Sequence, residues 1–158
     1  MKKEELGELI IRNENSLYHI AKSLLYSDED CKDAIQETIV KAFTKLHTLK
    51  KDEFAKSWLV RILINECYTI MRYEKKMVSI NEMQDDLEIE ESGDYSDLYE
   101  AIMHLKEEQR LCIVMYYIEG YSIKEIANML DTTESAVKKR LVRARSKMKL
   151  DLDGGMAL

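Results

Sequence analysis

The stretch SIKEIANMLDTTESAVKKRLVRARSKMK, from Ser122 to Lys149, decides the fold of the C-terminal third of this chain. Apolar residues recur at three- and four-residue steps in each half of it, which predicts two amphipathic helices. Between them Asp131 accepts a left-handed backbone, and Thr133 offers a hydroxyl N-cap to the second helix. The pattern therefore predicts a helix-turn-helix unit. Its apolar stripes are Ile123, Ile126, Ala127 and Leu130, followed by Val137, Leu141, Ala144 and Met148.

The second helix of this unit has a strongly basic outer face. No acidic residue lies between Glu134 and Asp151. A solvated face is the simplest explanation, because the helix dipole favours cations near a C-terminus. An anionic partner would compensate the repulsion between so many like charges on one helix. The preceding short helix and turn favour DNA as that partner. The cations are Lys138, Lys139, Arg140, Arg143, Arg145, Lys147 and Lys149.

Composition predicts an all-α protein. The 158 residues include no proline and 5 glycines, and 46% are hydrophobic. The formal charge of −6 is concentrated in residues 81–100, which hold nine acidic residues and no basic one. Both flanks are therefore free to meet nucleic acid. A polar stretch of this length rarely remains structureless within a compact unit, so we expect helical domains at 1–78 and 98–152, joined by an acidic flexible linker at 79–97.

No pattern of catalytic or metal-ligating residues stands out. Cys31, Cys67 and Cys112 are widely spaced and odd in number, as expected for free thiols in a reducing cytoplasm. HExxH, CxxC, glycine-rich phosphate-loop and nucleophile-elbow motifs are absent from the sequence. We therefore predict no enzyme activity, no metal site and no cofactor. The sequence also has no signal peptide or apolar run of membrane-spanning length, so we expect a cytoplasmic protein without stable membrane insertion.

The N-terminal eighty residues predict three helices. The first is interrupted by a polar patch from Arg12 to Ser16. Ser27 and Asp30 form a capping-box-like start for the second. The third begins near Asp52 or Glu53.

Two of these helices carry candidate binding residues. On the polar side of the second, Asp33 and Glu37 lie one turn apart, beside Gln36 and Lys41. The third combines basic, amide and aromatic side chains, which suit melted DNA because exposed bases stack on rings and cations meet the backbone. Its sole Trp is expected mainly in the core. The candidates on this helix are Trp58, Arg61, Asn65 and Arg72.

Together these segments resemble the extracytoplasmic-function sigma factors of the bacterial primary-sigma superfamily, over nearly the whole chain. DAIQETIVKAF, from Asp33 to Phe43, looks like the second-region signature. FAKSWLVRILINECYTIMR, from Phe54 to Arg72, resembles the segment that melts and reads the minus-ten element. EEQRLCIVMYYIEGYSIKEIANML, from Glu107 to Leu130, and the helix after it look like the fourth region, which reads the minus-thirty-five element. The chain departs from the family at Asp131, where glycine is usual, and at Thr69, where Asp is usual.

The resemblance implies a sigma factor that recruits core RNA polymerase to specific promoters and initiates transcription. Core polymerase and promoter DNA are the implied partners, and an anti-sigma factor is a further candidate partner. The implied polymerase-docking residues are Asp33, Gln36, Glu37 and Lys41. The implied minus-ten residues are Trp58, Arg61, Asn65 and Arg72. The implied minus-thirty-five residues are Thr133, Glu134, Ser135, Lys138, Lys139, Arg140 and Arg143.

Two other functions stay open at this point. One is an autonomous helix-turn-helix regulator in which residues 1–80 serve as a sensor or dimerisation domain. The other is an adaptor that binds only proteins. The acidic-Gln-Glu face, formed by Asp33, Gln36 and Glu37, argues against the first, because a stand-alone regulator has no need of it. The basic helix argues against the second.

Overall fold

The computed structural model describes residues 1–81 and 96–156. All regular elements within these two ranges are helical, which confirms the all-α class. Residues 82–95, most of the expected linker, lie outside the described residues. In the described part of the chain, no helix is both long enough and apolar enough to cross a membrane.

Four α-helices form the N-terminal half, where the sequence predicted three. The break falls at Asn13, inside the predicted polar patch, and the Asn13 amide donates to the Leu9 carbonyl at 2.7 Å. Asn side chains compete in this way with backbone hydrogen bonds, which ends the first helix there. The helices are α1 (Lys3–Arg12), α2 (Glu14–Leu24), α3 (Asp28–Thr44) and α4 (Ala55–Asn81), with 3₁₀ turns at Leu46–Thr48 and Asp52–Phe54.

The starts of α3 and α4 agree with the sequence. Ser27 is the N-cap of α3, and its hydroxyl accepts a hydrogen bond from the Asp30 amide at 3.1 Å. The turn beginning at Asp52 leads directly into α4. Helices α2, α3 and α4 then pack around a core of aliphatic side chains that are at most 2% exposed. These include Leu17, Ile20, Leu24, Leu59 and Leu63.

The C-terminal half contains the expected helix-turn-helix. Asp131 has a φ of 53°, in the left-handed region that Asp tolerates. Thr133 caps the second helix by accepting the Ala136 amide at 3.1 Å, and Ser122 and Glu125 form a reciprocal capping box on the first. The elements are α5 (Ser96–Met103), α6 (Glu107–Ile113), a π-helical turn (Val114–Ile118), α7 (Ile123–Met129) and α8 (Glu134–Met156).

The two halves pack against each other through one continuous hydrophobic core. Helix α6 lies against α2, and α7 lies against α4. Arg110 of α6 is 2% exposed, and its guanidinium donates to the Ser23 carbonyl at the end of α2 and to the Leu105 carbonyl. Carbonyls at a helix C-terminus lack intrahelical partners, so this buried cation joins the two halves at a point where acceptors are free.

All three cysteines are buried and free, as the sequence predicted. Burial raises the pKa of the Cys31 thiol to about 11 and that of Cys67 to about 12. Burial also raises the pKa of Cys112. Because the thiolate is the reactive form, burial lowers the reactivity of these groups in the folded chain.

A pair of carboxyl groups makes the stability of this fold depend on pH. The hydrogen bond that protonated Glu74 on α4 donates to the Asp30 carboxylate of α3, together with burial, raises the pKa of Glu74 from 4.5 to about 7. The folded state therefore holds the Glu74 proton more tightly than the unfolded state. The stabilisation is present below pH 4.5 and is lost as the pH rises through 7.

Replacing Glu74 with Gln is expected to raise the free energy of unfolding at pH 8 by about 1 kcal/mol, since solvent screens this largely exposed pair. Urea unfolding at pH 5 and pH 8 measures the effect. Asp30→Asn is the matched variant and should flatten the same pH dependence. An unchanged pH profile in both variants would contradict the shared proton.

Candidate nucleic-acid interface

The first turns of α8 present most of the candidate DNA-contacting residues together on one exposed surface. Glu134, Ser135, Lys138, Lys139 and Arg143 are all exposed. The hydroxyl of the neighbouring N-cap is already used to hold the helix start. Because the cap fixes where α8 begins, the side chains that follow have a defined direction on the helix surface.

Three cations of α8 have partners within the protein. Arg140 is 25% exposed, and its Nε lies 3.7 Å from the Glu108 carboxylate of α6. Arg145 donates to the Tyr117 hydroxyl at 3.0 Å, and Lys147 donates to the His104 carbonyl at 2.7 Å. Only part of the basic face is therefore free for phosphate. Among the candidate residues on α8, Arg140 is the one that must break an internal ion pair to reach DNA.

The polar face of α3 divides into two parts. Asp33, Gln36 and Glu37 are exposed and adjacent on the helix surface. Lys41 instead forms an ion pair with the buried Glu66 of α4, and the hydrogen bond to Glu66 raises the pKa of Lys41. Lys41 thus holds α3 against α4, a role that no pattern in the sequence indicated.

A cavity of about 290 Å³ lies at the start of α4. Trp58 lines it and also packs against the core, so this ring is half-buried and not fully enclosed. Phe54 stands at the cavity with half of its surface exposed. Two aromatic rings and nearby cations are suited to an unstacked base and its phosphate. Sequence reasoning missed the contributions of Phe54, Lys50 and Lys51, although their aromatic and basic types just before Trp58 could have indicated them.

Because Trp58 lies partly at the cavity and partly against the core, its removal is expected to destabilise the fold less than removal of a fully buried Trp. Trp58→Ala should reduce the free energy of unfolding by about 2 kcal/mol, below the 3–5 kcal/mol typical of fully buried aromatic residues. Urea denaturation followed by circular dichroism measures the loss. Trp58→Phe should retain most of the stability because it keeps an aromatic ring on the core. A loss of 4 kcal/mol or more for Trp58→Ala would contradict the half-buried placement.

The middle of α4 presents two exposed candidates joined by Thr69. The Thr69 hydroxyl donates to the Asn65 carbonyl at 2.9 Å and accepts from Arg72 Nη2 at 3.2 Å. The Asn65 side chain remains free to face a cavity of about 440 Å³ between α4 and the C-terminal half. Thr69, one of the two departures from the family pattern, therefore positions Arg72 on the same helix surface as Asn65.

Arg61 differs from the other α4 candidates because it contacts the helix-turn-helix. Its Nε and Nη2 donate to the Asn128 carbonyl at 3.0 and 2.6 Å. Its Nη2 also lies 3.6 Å from the Asp131 carboxylate. The structure thus brings a predicted minus-ten residue together with the turn of the predicted minus-thirty-five reader.

Two family profiles match the chain, one over the N-terminal half with its α3 and α4 surfaces and one over the C-terminal half with its helix-turn-helix. The sequence profile of Sigma-70 region 2 matches residues 9–77, and that of Sigma-70, region 4 matches residues 95–148. The RNA polymerase sigma factor SigV of Bacillus subtilis (strain 168) is 30% identical over 146 residues, which cover 90% of this chain and 88% of that protein. The chain belongs to the extracytoplasmic-function sigma factors. Proteins of this family are transcription initiation factors.

Further relatives agree with this membership. The ECF RNA polymerase sigma factor SigM of Mycobacterium tuberculosis is 29% identical over 145 residues, covering 89% of this sigma factor and 74% of that one. A solved structure of the sigma factor RpoE with the anti-sigma factor NepR from Bartonella quintana has a TM-score of 0.83 at 24% identity, covering 95% of this chain and 98% of that one. The solved structure of CnrH in complex with the cytosolic domain of CnrY has a TM-score of 0.72 at 26% identity. The match covers 97% of this chain and 90% of that one. Their fold is the fold of this sigma factor.

Proposed function

We propose that this sigma factor recruits core RNA polymerase to specific promoters and initiates transcription without catalytic residues, metal or cofactor of its own. One observation carries the proposal. The described chain combines an exposed acidic-Gln-Glu face on α3 with an exposed basic surface on α8, inside segments that match sigma regions 2 and 4. An acidic protein-docking face and a basic DNA-reading helix together are what a recruiting subunit requires.

The docking surface of this proposal consists of Asp33, Gln36 and Glu37 on α3, with Lys41 supporting it from its pair with Glu66. A cluster of exposed charges on a rigid helix suits a specific protein contact, because the side chains are already placed by α3 and α4. We assign the polymerase contact to the domain of residues 1–78.

The minus-ten surface is proposed to lie on α4. The cavity beside Trp58 would accept an unstacked base, and Arg61, Asn65 and Arg72 would contact the strand beside it. The minus-thirty-five surface is proposed to lie in the domain of residues 98–152. Residues 79–97 would connect the two domains. The minus-thirty-five contacts are Thr133, Glu134, Ser135, Lys138, Lys139, Arg140 and Arg143.

The proposal also includes a further binding partner and the cellular location of the protein. Two solved relatives are sigma factors bound to other proteins, RpoE with an anti-sigma factor and CnrH with the cytosolic domain of CnrY. By that analogy we propose an anti-sigma factor as a third partner. A subunit of RNA polymerase works where the polymerase works, so we place the protein in the cytoplasm.

Co-purification with core RNA polymerase, followed by run-off transcription on genomic fragments, tests this function. The expected result is a stable complex and transcripts that start at discrete sites only when the sigma factor is added. Specific DNA binding by the chain alone, together with no binding to core polymerase, would favour an autonomous regulator. Binding to neither would favour a protein adaptor.

Base readout by α8 predicts different effects for two of its cations. Lys138→Ala should change the preference at one base position by about 1–3 kcal/mol, because the first turns of the helix reach base edges. Arg143→Ala should weaken binding evenly across sequences and reduce the salt slope by about one. Binding-site selection with the reconstituted holoenzyme measures both. The same base preference in wild type and Lys138→Ala would contradict the readout by this turn.

A further inference from the structure

A cavity of about 300 Å³ lies between α6 and the first turns of α8, two helices that pack against each other. Among the described residues that line it are four cations, and Glu108 is the one carboxylate. Four positive charges against one negative charge leave an excess of three. The cations are Lys106, Lys139, Arg140 and Arg143.

The space between these helices follows from the residue spacing on α8. Ala136, Lys139, Arg140 and Arg143 lie three or four residues apart, so they share one face of the helix. This face is turned to α6. Ala136 has the smallest side chain of the four and leaves the room that the longer side chains surround. A larger residue at position 136 would fill the cavity.

The inner part of the cavity presents hydrogen-bond donors. Arg140 is 25% exposed, and its Nε lies 3.7 Å from the Glu108 carboxylate. Gln109 is half-buried, and its Oε1 is enclosed without a hydrogen-bond partner. The amide nitrogen is therefore the polar atom that this side chain can offer to a ligand. Three exposed cations form the rim, namely Lys106, Lys139 and Arg143.

The rim cations are not compensated by the fold. Their side chains form no ion pair or hydrogen bond with another described residue, whereas Lys147 of the same helix donates to the His104 carbonyl. Like charges held around one small space repel each other, and an anion bound between them would remove that repulsion. The cavity is thus suited to an anionic ligand.

The lining also indicates the class of anion. A terminal phosphate carries about two negative charges at neutral pH and presents three strong acceptor oxygens. A phosphodiester in DNA carries a single negative charge and has a sugar on each side. The guanidinium of Arg140 and the amide of Gln109 lie in the recess between two helices, where a terminal group can enter and a group flanked by sugars meets the walls. The recess therefore favours a terminal phosphate or a pyrophosphate over the DNA backbone.

We propose that the cavity between α6 and residues 136–143 of α8 binds the terminal phosphate or pyrophosphate group of a small phosphorylated molecule, which competes with promoter DNA for Lys139, Arg140 and Arg143. The binding site itself does not depend on the proposed function. The competition rests on it, because these three residues are assigned there to the minus-thirty-five surface. The bound molecule would weaken recognition of the upstream element and leave the α4 surface unchanged.

Three variants of the full-length chain test the site. Lys106→Ala removes a rim cation that the proposed function does not assign to DNA, and this side chain makes no capping hydrogen bond to α6. Ala136→Leu fills the space between the helices. Lys149→Ala is the matched control, because it removes an exposed cation of α8 outside the cavity. Circular dichroism confirms that each variant keeps the helical content of the wild type.

Isothermal titration calorimetry without divalent metal ions and at constant ionic strength measures binding of three probes. Sodium pyrophosphate represents the free anion, and adenosine diphosphate represents a nucleotide that ends in the same group. Thymidylyl-thymidine contains a phosphodiester and no terminal phosphate. Tighter binding of adenosine diphosphate than of pyrophosphate would support a nucleotide as the ligand, and the opposite order would support the free anion.

We expect pyrophosphate to bind at one site per chain and more tightly than thymidylyl-thymidine. Lys106→Ala should weaken pyrophosphate binding about tenfold, as the loss of one charge-assisted hydrogen bond does. Ala136→Leu should abolish saturable binding, and Lys149→Ala should bind as the wild type does. Equal weakening by Lys106→Ala and Lys149→Ala would overturn the site, because it indicates general attraction to a basic helix. Equal affinity for pyrophosphate and thymidylyl-thymidine would overturn the preference for a terminal phosphate.

A separate measurement tests the competition. Fluorescence anisotropy follows binding of the full-length chain to a fluorescein-labelled DNA duplex of random sequence, about two helical turns long. Pyrophosphate should weaken duplex binding by the wild type and by Lys149→Ala, and should have little effect on Ala136→Leu. The same effect on all variants would reveal an ordinary salt effect and overturn the competition. Pyrophosphate binding to the cavity without any competition would contradict the minus-thirty-five assignment of these residues and leave the ligand site in place.

Discussion

Glu37→Lys is expected to weaken binding to core RNA polymerase by about thirtyfold or more. Glu37 is exposed on the acidic-Gln-Glu face, where a reversed charge would meet the polymerase with the wrong sign. A hot-spot residue of an interface contributes about 2 kcal/mol or more, and about 1.4 kcal/mol corresponds to a factor of ten. Because the side chain makes no part of the core, the helical content should stay intact.

Titration of labelled sigma factor with core polymerase measures this change. Glu8→Lys is the matched control, since it reverses the same charge at an exposed position on α1. The control should bind as the wild type does. Equal affinity for Glu37→Lys and Glu8→Lys would show that polymerase docks on another surface.

Asn65→Ala is expected to reduce promoter opening by about tenfold to a hundredfold. A side-chain amide that makes two hydrogen bonds to one base contributes about 1–3 kcal/mol of discrimination, and Ala removes both bonds. Asn65 is exposed, and its backbone carbonyl, which accepts from the Thr69 hydroxyl, is retained in the Ala variant. The substitution therefore leaves the fold and the polymerase-docking face unchanged.

Permanganate footprinting of the promoter separates this effect from assembly. Holoenzyme formation by Asn65→Ala should equal that of the wild type, while reactivity of the melted thymines should fall. Thr69→Ala is an informative comparison, because it keeps the Asn65 amide and releases Arg72. Normal melting by Asn65→Ala would exclude base recognition by this side chain.

Local signals were sufficient for most of the helical architecture. Ser27 with Asp30, Thr133 with Ala136, and Asp131 at the reversal each act within a few residues. Their chemistry therefore depends little on the rest of the chain. The apolar stripes likewise predicted which faces of α7 and α8 are buried, because the helical period places those residues on one side. The family resemblance rests on the same local patterns.

The sequence by itself thus determined most of the helices, several of their caps and the two classes of surface, acidic on α3 and basic on α8. Only the tertiary structure decided the pairs that are distant in the chain. Lys41 meets Glu66 across 25 residues, and Arg61 meets the Asn128 carbonyl across 67. A helical period identifies a face that must be buried, but it does not identify the partner, because many apolar faces are compatible with one another. The meeting of Arg61 with the helix-turn-helix therefore follows from the packing of α7 on α4 and from no pattern in either segment alone.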